Sequence, residues 1–126
     1  MHEIDREQFE AIVTDAVRVL PDEFRERIAN LEFSVEDWAR PDDYARTEVP
    51  PHGSTILGVY RGIPLTKRNA GYNMTLPDRI VIFQQPLQRI ASDADDLAGR
   101  IRHVVKHEIA HYFGISDERL REIDAY

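Results

Sequence analysis

Three side chains of the types that bind metal ions and transfer protons lie close together near the end of the 126-residue sequence. They are His107, Glu108 and His111, which form an H-E-x-x-H motif that Gly114 and Asp117 extend to H-E-x-x-H-x-x-G-x-x-D. Residues four apart on a helix lie about 40° apart around its axis and about 6 Å apart along it. The spacing therefore allows His107 and His111 to bind one metal ion from the same face of a helix.

This set of side chains suits a catalytic zinc site. Neutral imidazoles are good zinc ligands, and two of them one helical turn apart supply two corners of a tetrahedron. If the helix ends at Gly114, the chain can turn back and bring Asp117 to the same ion as a third ligand. A catalytic zinc leaves its fourth position open for water, whose pKa it lowers to about 7. We expect Glu108 to take a proton from that water as general base and to pass it to the leaving amine.

The position of Glu108 on the predicted helix supports this interpretation. Successive residues of a helix are about 100° apart around its axis, so each residue has an angular position relative to His107. Several apolar side chains fall within one arc of these positions, and Glu108 lies inside that arc. The apolar side chains are those of Leu97, Ile101, Val104, Val105, Ile109 and Tyr112. A carboxylate in the apolar face of a helix is expensive to bury unless a charged or polar group meets it. A metal-bound water is such a partner, whereas Arg102 and Lys106 point to the opposite, solvent side.

The extended motif is rare by chance. For this composition, H-E-x-x-H arises in about one of sixty such sequences, and requiring Gly114 and Asp117 as well lowers this to about one in ten thousand. The two histidines could be ordinary surface residues of a helix, but the full motif favours metal binding.

Structural roles remain open for several residues near the motif or outside it. Asp commonly caps the start of a helix, and a helix that begins near Asp117 would explain this residue without a metal. His103 extends the row of histidines one turn back, as a polar boundary residue or as a neighbour of the metal ligands. Tyr112 falls among the core residues and is expected to pack there. His52 is interpreted as a solvent-exposed side chain in a loop.

Length and composition favour one globular domain. With 126 residues, 42% hydrophobic and 31% charged, the chain can bury one core, so we expect a single domain over residues 1–126. It has no cysteine, so any zinc must be held by His, Asp or Glu. No apolar run reaches about 18 residues and no secretory signal pattern is present, which makes the cytoplasm the default location and a membrane contact unexpected. The formal net charge of −7 argues against nucleic acid as the main partner.

The sequence before the motif predicts helices around a small sheet. Apolar spacing predicts a helix over 5–20, and Pro21 either interrupts it or begins a short second helix in which Phe24 faces inward. Two polar stretches with prolines and glycines, 39–55 and 65–78, are predicted as loops, the second with room for a short hairpin. Alternating or continuous apolar residues predict three strands, at 31–38, 56–61 and 79–83. The third strand, the most apolar, is predicted to lie inside the sheet.

The motif itself is predicted to lie on a long helix. Pro86 begins a short helix before it, and the capping signature Ser92-Asp-Ala-Asp95 predicts the start of the active-site helix, 93–113. Gly114 is a natural left-handed stop. A last helix is predicted over 118–125.

The motif resembles the extended zinc motif of metzincin-like zincins, in the variant in which Asp replaces the third His. Two further segments, Ile56-Leu-Gly-Val-Tyr-Arg-Gly-Ile-Pro-Leu-Thr66 and Leu76-Pro-Asp-Arg-Ile-Val-Ile-Phe83, look like the minimal bacterial zincin family of metallopeptidases. The resemblance extends over most of the chain from about Leu31 onward. It implies an α+β fold, namely a reduced zincin with a small mixed sheet of three to four strands backed by helices.

The same resemblance implies a function. Zn²⁺ would be held by His107, His111 and Asp117, with Glu108 as general base and a peptide or protein substrate lying antiparallel along an edge strand. One departure is that metzincins place a methionine turn after the motif, whereas the two methionines here precede it, at Met1 and Met74. Little chain follows Asp117, so we expect no full lower subdomain. An oxyanion donor could come from Tyr126, although a frayed terminus is the simpler interpretation.

Three classes of function therefore stay open. The leading one is a zinc-dependent peptidase that hydrolyses peptide bonds. The second is a zinc-binding protein without turnover, an inactive zincin or adaptor, because the usual support behind the motif is reduced. The third is a metal-dependent RNA-processing hydrolase, since a bacterial ribosomal-RNA endonuclease family also carries an H-x-x-x-H-x-x-G helix. Glu108 directly after the first His and the acidic balance argue against it. The oligomeric state is not predicted.

Overall fold

A computed structural model describes residues 1–46, 56–62 and 78–114 of the chain. Its elements, in chain order, are α1 (Arg6–Arg18), α2 (Asp22–Arg27), β1 (Leu31–Glu36), α3 (Pro41–Arg46), β2 (Gly58–Arg61), β3 (Asp78–Phe83), α4 (Gln84–Ile90) and α5 (Ala94–Tyr112). The fold is α+β, with a mixed sheet backed by helices, as expected. The predictions for His52, Asp117, Tyr126, the helix over 118–125 and most of the loop over 65–78 lie outside the described residues.

The three described strands form one sheet in the order β1-β3-β2. β1 runs parallel to β3, from Leu31 beside Asp78 to Glu36 beside Phe83. β2 runs antiparallel to β3, with Gly58 beside Ile82 and Arg61 beside Arg79. The four residues from Ile80 to Phe83 are fully buried, which confirms the prediction that this apolar strand lies inside the sheet.

The two faces of the sheet are covered differently because alternate side chains of a strand point to opposite faces. On one face, Tyr60, Ile80 and Ile82 belong to a core cluster that also contains residues of α1 and α5. On the other face, Val59, Val81 and Phe83 form a smaller cluster with Ile56. The larger core therefore holds α5, the motif helix, against β2 and β3.

A short helix, α3, lies within the stretch predicted as a loop over 39–55, so that prediction was wrong for residues 41–46. α3 is held by Asp43, which is only 1% exposed and accepts two hydrogen bonds of 2.8 Å from the Arg61 guanidinium. Arg61 also donates to Glu36, at 2.9 and 3.1 Å. Such tertiary ion pairs leave no periodic pattern in the sequence, which explains why this helix was missed.

The polar cluster of Asp43, Glu36 and Arg61 is charged in the fold. Burial opposes ionisation of Asp43, but hydrogen bonds from Arg61 and from the Arg40 backbone amide outweigh it, so the pKa of Asp43 lies below its usual value. Hydrogen bonds from Arg61 likewise lower the pKa of Glu36. The cluster thus joins α3 to β1 and β2 through ionised groups.

The two N-terminal helices lie where the sequence predicts them, but one side chain does not point where it was predicted to. α1 begins at a capping box, in which the Asp5 carboxylate accepts from the Gln8 amide at 2.7 Å. α2 buries Ile28 after its last turn, but Phe24 is 41% exposed, so the prediction that Phe24 faces inward was wrong. The Phe24 ring instead contacts the edge of Phe113, with centroids 6.3 Å apart. Among the described residues, no helix has both the length and the apolar character that crossing a bilayer requires.

Candidate metal centre

The motif lies on α5, a helix of 19 residues with well-defined ends. Its N-cap is Asp93, whose carboxylate accepts from the Asp96 amide at 2.8 Å. The predicted cap at Ser92 was one residue too early, and the Ser92 amide instead donates to the Asp96 carboxylate at 2.9 Å. At the other end Gly114 has a φ of 85°, which confirms the predicted left-handed stop.

One face of α5 is buried as the periodicity predicted. The apolar side chains on it are 0–6% exposed, and they are Leu97, Ile101, Val104, Val105, Ile109 and Tyr112. Glu108 lies on the same face and is itself only 5% exposed. Arg102 and Lys106 are exposed on the opposite side. The predicted burial of a carboxylate in the apolar face is therefore confirmed.

The structure brings His107, Glu108 and His111 together at the shoulder of that face. One ligand atom from each lies within 4.8 Å of the others, so the three form a group that could hold a metal ion. His111 Nδ1 lies 3.3 Å from Glu108 Oε1, and His107 Nε2 lies 4.0 Å from Glu108 Oε2. The two imidazole rings are 4.5 Å apart between centroids and inclined at 64°. Both histidine side chains are partly exposed, whereas Glu108 is enclosed.

Glu108 Oε1 carries the clearest sign of an additional partner. It is buried and forms no hydrogen bond with any residue in the described part of the chain. A buried carboxylate oxygen without a hydrogen bond is costly and rare in native proteins. A cation or an ordered water at the histidine pair would satisfy it.

The donor set fits zinc. Two imidazoles with a nearby carboxylate are ligand types that zinc prefers, and zinc bonds of about 2.1 Å place tetrahedral ligand atoms about 3.4 Å apart. One ligand atom each of His107, Glu108 and His111 lies within 4.8 Å of the others, which places the two imidazoles where they could share one ion and leaves the Glu108 carboxylate beside it. Asp117 lies outside the described residues, and its role as a third ligand stays a prediction.

The edge strand β2 supports Glu108 through a glycine. A Cβ atom at Gly58 would lie 2.6 Å from Val104 Cγ1, 3.2 Å from the Val81 carbonyl oxygen and 3.4 Å from Glu108 Cγ. Only a residue without a side chain therefore allows α5 to approach β2 this closely. This role of Gly58 was not predicted from the sequence, although an isolated glycine in a strand often marks a close approach of another element.

Two other residues of α5, Tyr112 and His103, lie near the metal-binding group. The Tyr112 ring packs edge-on against Tyr60, with centroids 5.6 Å apart, and is 4% exposed, as expected for a core residue. His103 is exposed, and its ring centroid lies 6.4 Å from that of His107. His103 is thus a neighbour of the metal centre on the solvent side.

Comparison with known proteins agrees with this geometry. The family model of zincin-like metallopeptidases matches residues 28–126, a range that begins just before β1 and includes the whole sheet and α5. None of the curated proteins matches the chain. Zincins bind a metal, typically zinc, and the His107–Glu108–His111 group is suited to hold one. The chain belongs to the zincin-like metallopeptidase family.

Proposed function

We propose that the chain is a zinc-dependent peptidase, with His107, His111 and Asp117 as ligands and Glu108 as general base. The observation that carries the proposal is the enclosed Glu108 carboxylate, whose Oε1 has no hydrogen bond within the described residues and lies 3.3 Å from His111 Nδ1. The proposed substrate is a peptide or protein. Membership of a metallopeptidase family supports a peptide rather than an RNA as the substrate.

Zinc at this site would polarise the scissile carbonyl and lower the pKa of a water molecule beside it. The residues of the chain supply the rest. Glu108 Oε1, which is enclosed and free of hydrogen bonds to described residues, accepts a proton as the water attacks and delivers it to the leaving amine. Gly58 leaves the Glu108 methylene groups room beside β2, since a Cβ atom there would lie 3.4 Å from Glu108 Cγ.

β2 is the strand that the proposal assigns to the substrate. It is an edge of the described sheet, and no described strand pairs with its outer side. It is also the edge that contacts α5 at the level of Glu108, through Gly58. A peptide that adds to β2 by backbone hydrogen bonds would therefore pass in front of the carboxylate. β1, the other edge, lies on the far side of β3.

Two variants separate metal binding from catalysis. Glu108→Gln keeps the shape of the side chain but cannot act as a base, so we expect it to retain zinc and to cleave peptides about 100-fold to 10,000-fold more slowly. His111→Ala removes a ligand and should lose zinc. Lys106→Ala, on the exposed side of α5, is the control and should keep both properties.

The measurements are zinc content by mass spectrometry and cleavage of a peptide library. Unchanged zinc in His111→Ala would rule out the site. Cleavage at the wild-type rate by Glu108→Gln would remove this residue from its proposed role. Zinc binding without cleavage of any peptide would support the inactive zincin or adaptor instead.

A further inference from the structure

The direction of β2 relative to α5 decides which part of a bound peptide lies where. Gly58 approaches α5 at Glu108, because a Cβ atom on it would lie 3.4 Å from Glu108 Cγ. Tyr60 contacts α5 one helical turn later, with its ring 5.6 Å from that of Tyr112 between centroids. Two residues of a strand and four residues of a helix cover about the same length, roughly 6–7 Å. β2 therefore runs beside α5 in the same direction.

Gly58 presents its backbone to the outer edge of the sheet. The Leu57 carbonyl oxygen accepts a hydrogen bond of 2.9 Å from the Phe83 amide, so these two residues form a hydrogen-bonded pair of the antiparallel ladder. Such pairs alternate with pairs whose N–H and C=O groups point away from the partner strand. Gly58, opposite Ile82, is in a pair of the second kind. A peptide beside β2 could therefore bond the Gly58 backbone while its scissile bond lies at Glu108.

The course of such a peptide follows from the direction of β2. A substrate antiparallel to β2, as the zincin resemblance implies, runs opposite to α5. Its residues before the scissile bond then pass beside the end of β2 at Arg61, and the residues after the bond pass beside Leu57. Arg61 is three positions from Gly58, which is about 10 Å along a strand, the length of three substrate residues. The place of the Arg61 end of β2 thus decides how the first part of the peptide lies.

The pairing with β3 is weak at the Arg61 end of β2. Arg61 is the last residue of β2 and lies directly opposite Arg79 of β3. Residues opposite each other in a ladder point to the same face of the sheet, and like charges in such a pair are destabilising. This end of β2 therefore depends on groups outside the β2–β3 ladder.

Two carboxylates supply the missing stabilisation. Asp43 and Glu36 accept hydrogen bonds of 2.8, 2.8, 2.9 and 3.1 Å from the Arg61 guanidinium. Arg79 is paired with Glu32 at 2.8 Å, but both of these side chains are exposed, and exposed ion pairs contribute little. Asp43, by contrast, is only 1% exposed. The polar cluster of Asp43, Glu36 and Arg61 is therefore the main support of this end of β2.

We propose that Arg61, held by Asp43 and Glu36, is a positioning residue that fixes β2 for the part of the substrate before the scissile bond. Arg61 acts through the strand and does not touch the reacting atoms. Without the cluster, the Arg61 end of β2 moves away from β3 while Gly58 stays against α5. The inference rests on the proposed peptidase function and adds a requirement for substrate residues before the scissile bond.

Peptides trimmed from either end test this role. The probe is a fluorescent peptide chosen from the library by its binding to the zinc-loaded Glu108→Gln protein, which binds without turnover. We expect Asp43→Asn in that protein to raise the Kd about threefold to tenfold, the worth of one backbone hydrogen bond. Trimming the N-terminal end of the peptide should remove this difference, whereas trimming its C-terminal end should preserve it. In the protein with Glu108 intact, Asp43→Asn should raise KM and leave kcat nearly unchanged.

Further variants distinguish positioning from a loss of stability. Arg79→Gln removes the like charge opposite Arg61, so it should restore part of the peptide affinity of Asp43→Asn and change little by itself. Arg61→Lys keeps the charge but loses the planar fork of donors that meets two carboxylates, so it should behave like Asp43→Asn. Asp42→Asn makes the same charge change at an exposed neighbour and is the control. Each variant is measured at a temperature at which its circular dichroism is that of the folded protein.

The outcomes separate this role from the peptidase function. A loss of affinity that is equal for peptides trimmed at either end, or a fall in kcat at unchanged KM, would overturn the positioning role. Cleavage by wild type with the same KM in Asp43→Asn and Arg61→Lys keeps the peptidase and removes the role of Arg61. A loss confined to the N-terminal part of the peptide, with no cleavage by wild type, does the reverse. If no peptide binds to the zinc-loaded protein, the positioning role fails, and cleavage by wild type alone decides on the peptidase.

Discussion

Because β2 and α5 are in close contact at Gly58, we predict that Gly58→Ala lowers both stability and activity. The new Cβ would lie 2.6 Å from Val104 Cγ1 and 3.2 Å from the Val81 carbonyl oxygen. Ordinary contacts between such atoms begin near about 3.5 Å, so the valine methyl must move by about 1 Å. The Val81 oxygen belongs to the central strand and cannot rotate away. The Val104 methyl belongs to α5, so we expect the strain from that contact to push α5 away from β2.

Gly58→Ala should lose both folding stability and catalytic rate. Overpacking of this kind destabilises by about 1–3 kcal/mol, and the lower chain entropy of unfolded alanine offsets about 0.4–1 kcal/mol of it. A net loss of about 1–2 kcal/mol lowers the unfolding temperature by roughly 3–10 °C in a chain of this size. A displacement of Glu108 by about 1 Å can slow the reaction up to about 100-fold. Zinc affinity should change little, because His107 and His111 move together with α5.

The assay compares thermal unfolding, zinc content and kcat/KM of the wild type and Gly58→Ala. The double variant Gly58→Ala with Val104→Ala removes the methyl groups that clash, so it should lose less than the two single variants added together. Gly99→Ala is the matched glycine control for stability, because its Cβ would meet only Arg102 Nη2 at 3.8 Å, and it should stabilise the helix. A Gly58→Ala protein with unchanged unfolding temperature and activity, or strictly additive losses in the double variant, would refute the reasoning.

Three further predictions concern the ion cluster and the metal. Asp43→Asn should lower the free energy of unfolding by about 3 kcal/mol in urea titrations, because Arg61 loses a buried partner, while exposed Asp42→Asn should have little effect. The pKa values of Asp43 and Glu36 are lowered in the fold, so the stability that these carboxylates contribute is complete above about pH 4.5 and is lost as the pH falls through the lowered values. The difference in free energy of unfolding between wild type and Asp43→Asn should therefore become smaller towards pH 3. A difference that stays constant with pH would contradict the ionised cluster. Chelation should lower the unfolding temperature of wild type and leave that of His111→Ala unchanged, since only a protein that binds zinc can be stabilised by it.

The part of the site that lies on one helix could be predicted from the sequence. A helical period assigns Glu108 to the apolar face and His107 and His111 to its shoulder, and the fold confirms both positions. The reason is that spacing along a single helix fixes the angular positions of its residues without reference to any other element. Asp117 is different, because its place depends on how the chain turns after Gly114.

Features that depend on contacts between distant segments could not be predicted. α3 is anchored to the sheet by Asp43, whose partner Arg61 is 18 residues away in the sequence. Phe24 has the spacing of a core residue, but it is 41% exposed and its ring lies beside that of Phe113, 89 positions further along the chain. The role of Gly58 emerges only when α5 is laid against β2. In each case the deciding interaction lies outside the window in which a periodic pattern can be seen.

The contact between α5 and β2 also concerns Glu108, the residue proposed as general base. In the described fold, Val104 and Glu108 both lie where α5 passes close to Gly58, since a Cβ atom there would be 2.6 Å from Val104 Cγ1 and 3.4 Å from Glu108 Cγ. A change that pushes α5 away from β2 would therefore also move the proposed base. Stability and catalysis should fall together when this contact is altered, whereas zinc binding should change less, because two of its three proposed ligands, His107 and His111, lie on one helix and move together.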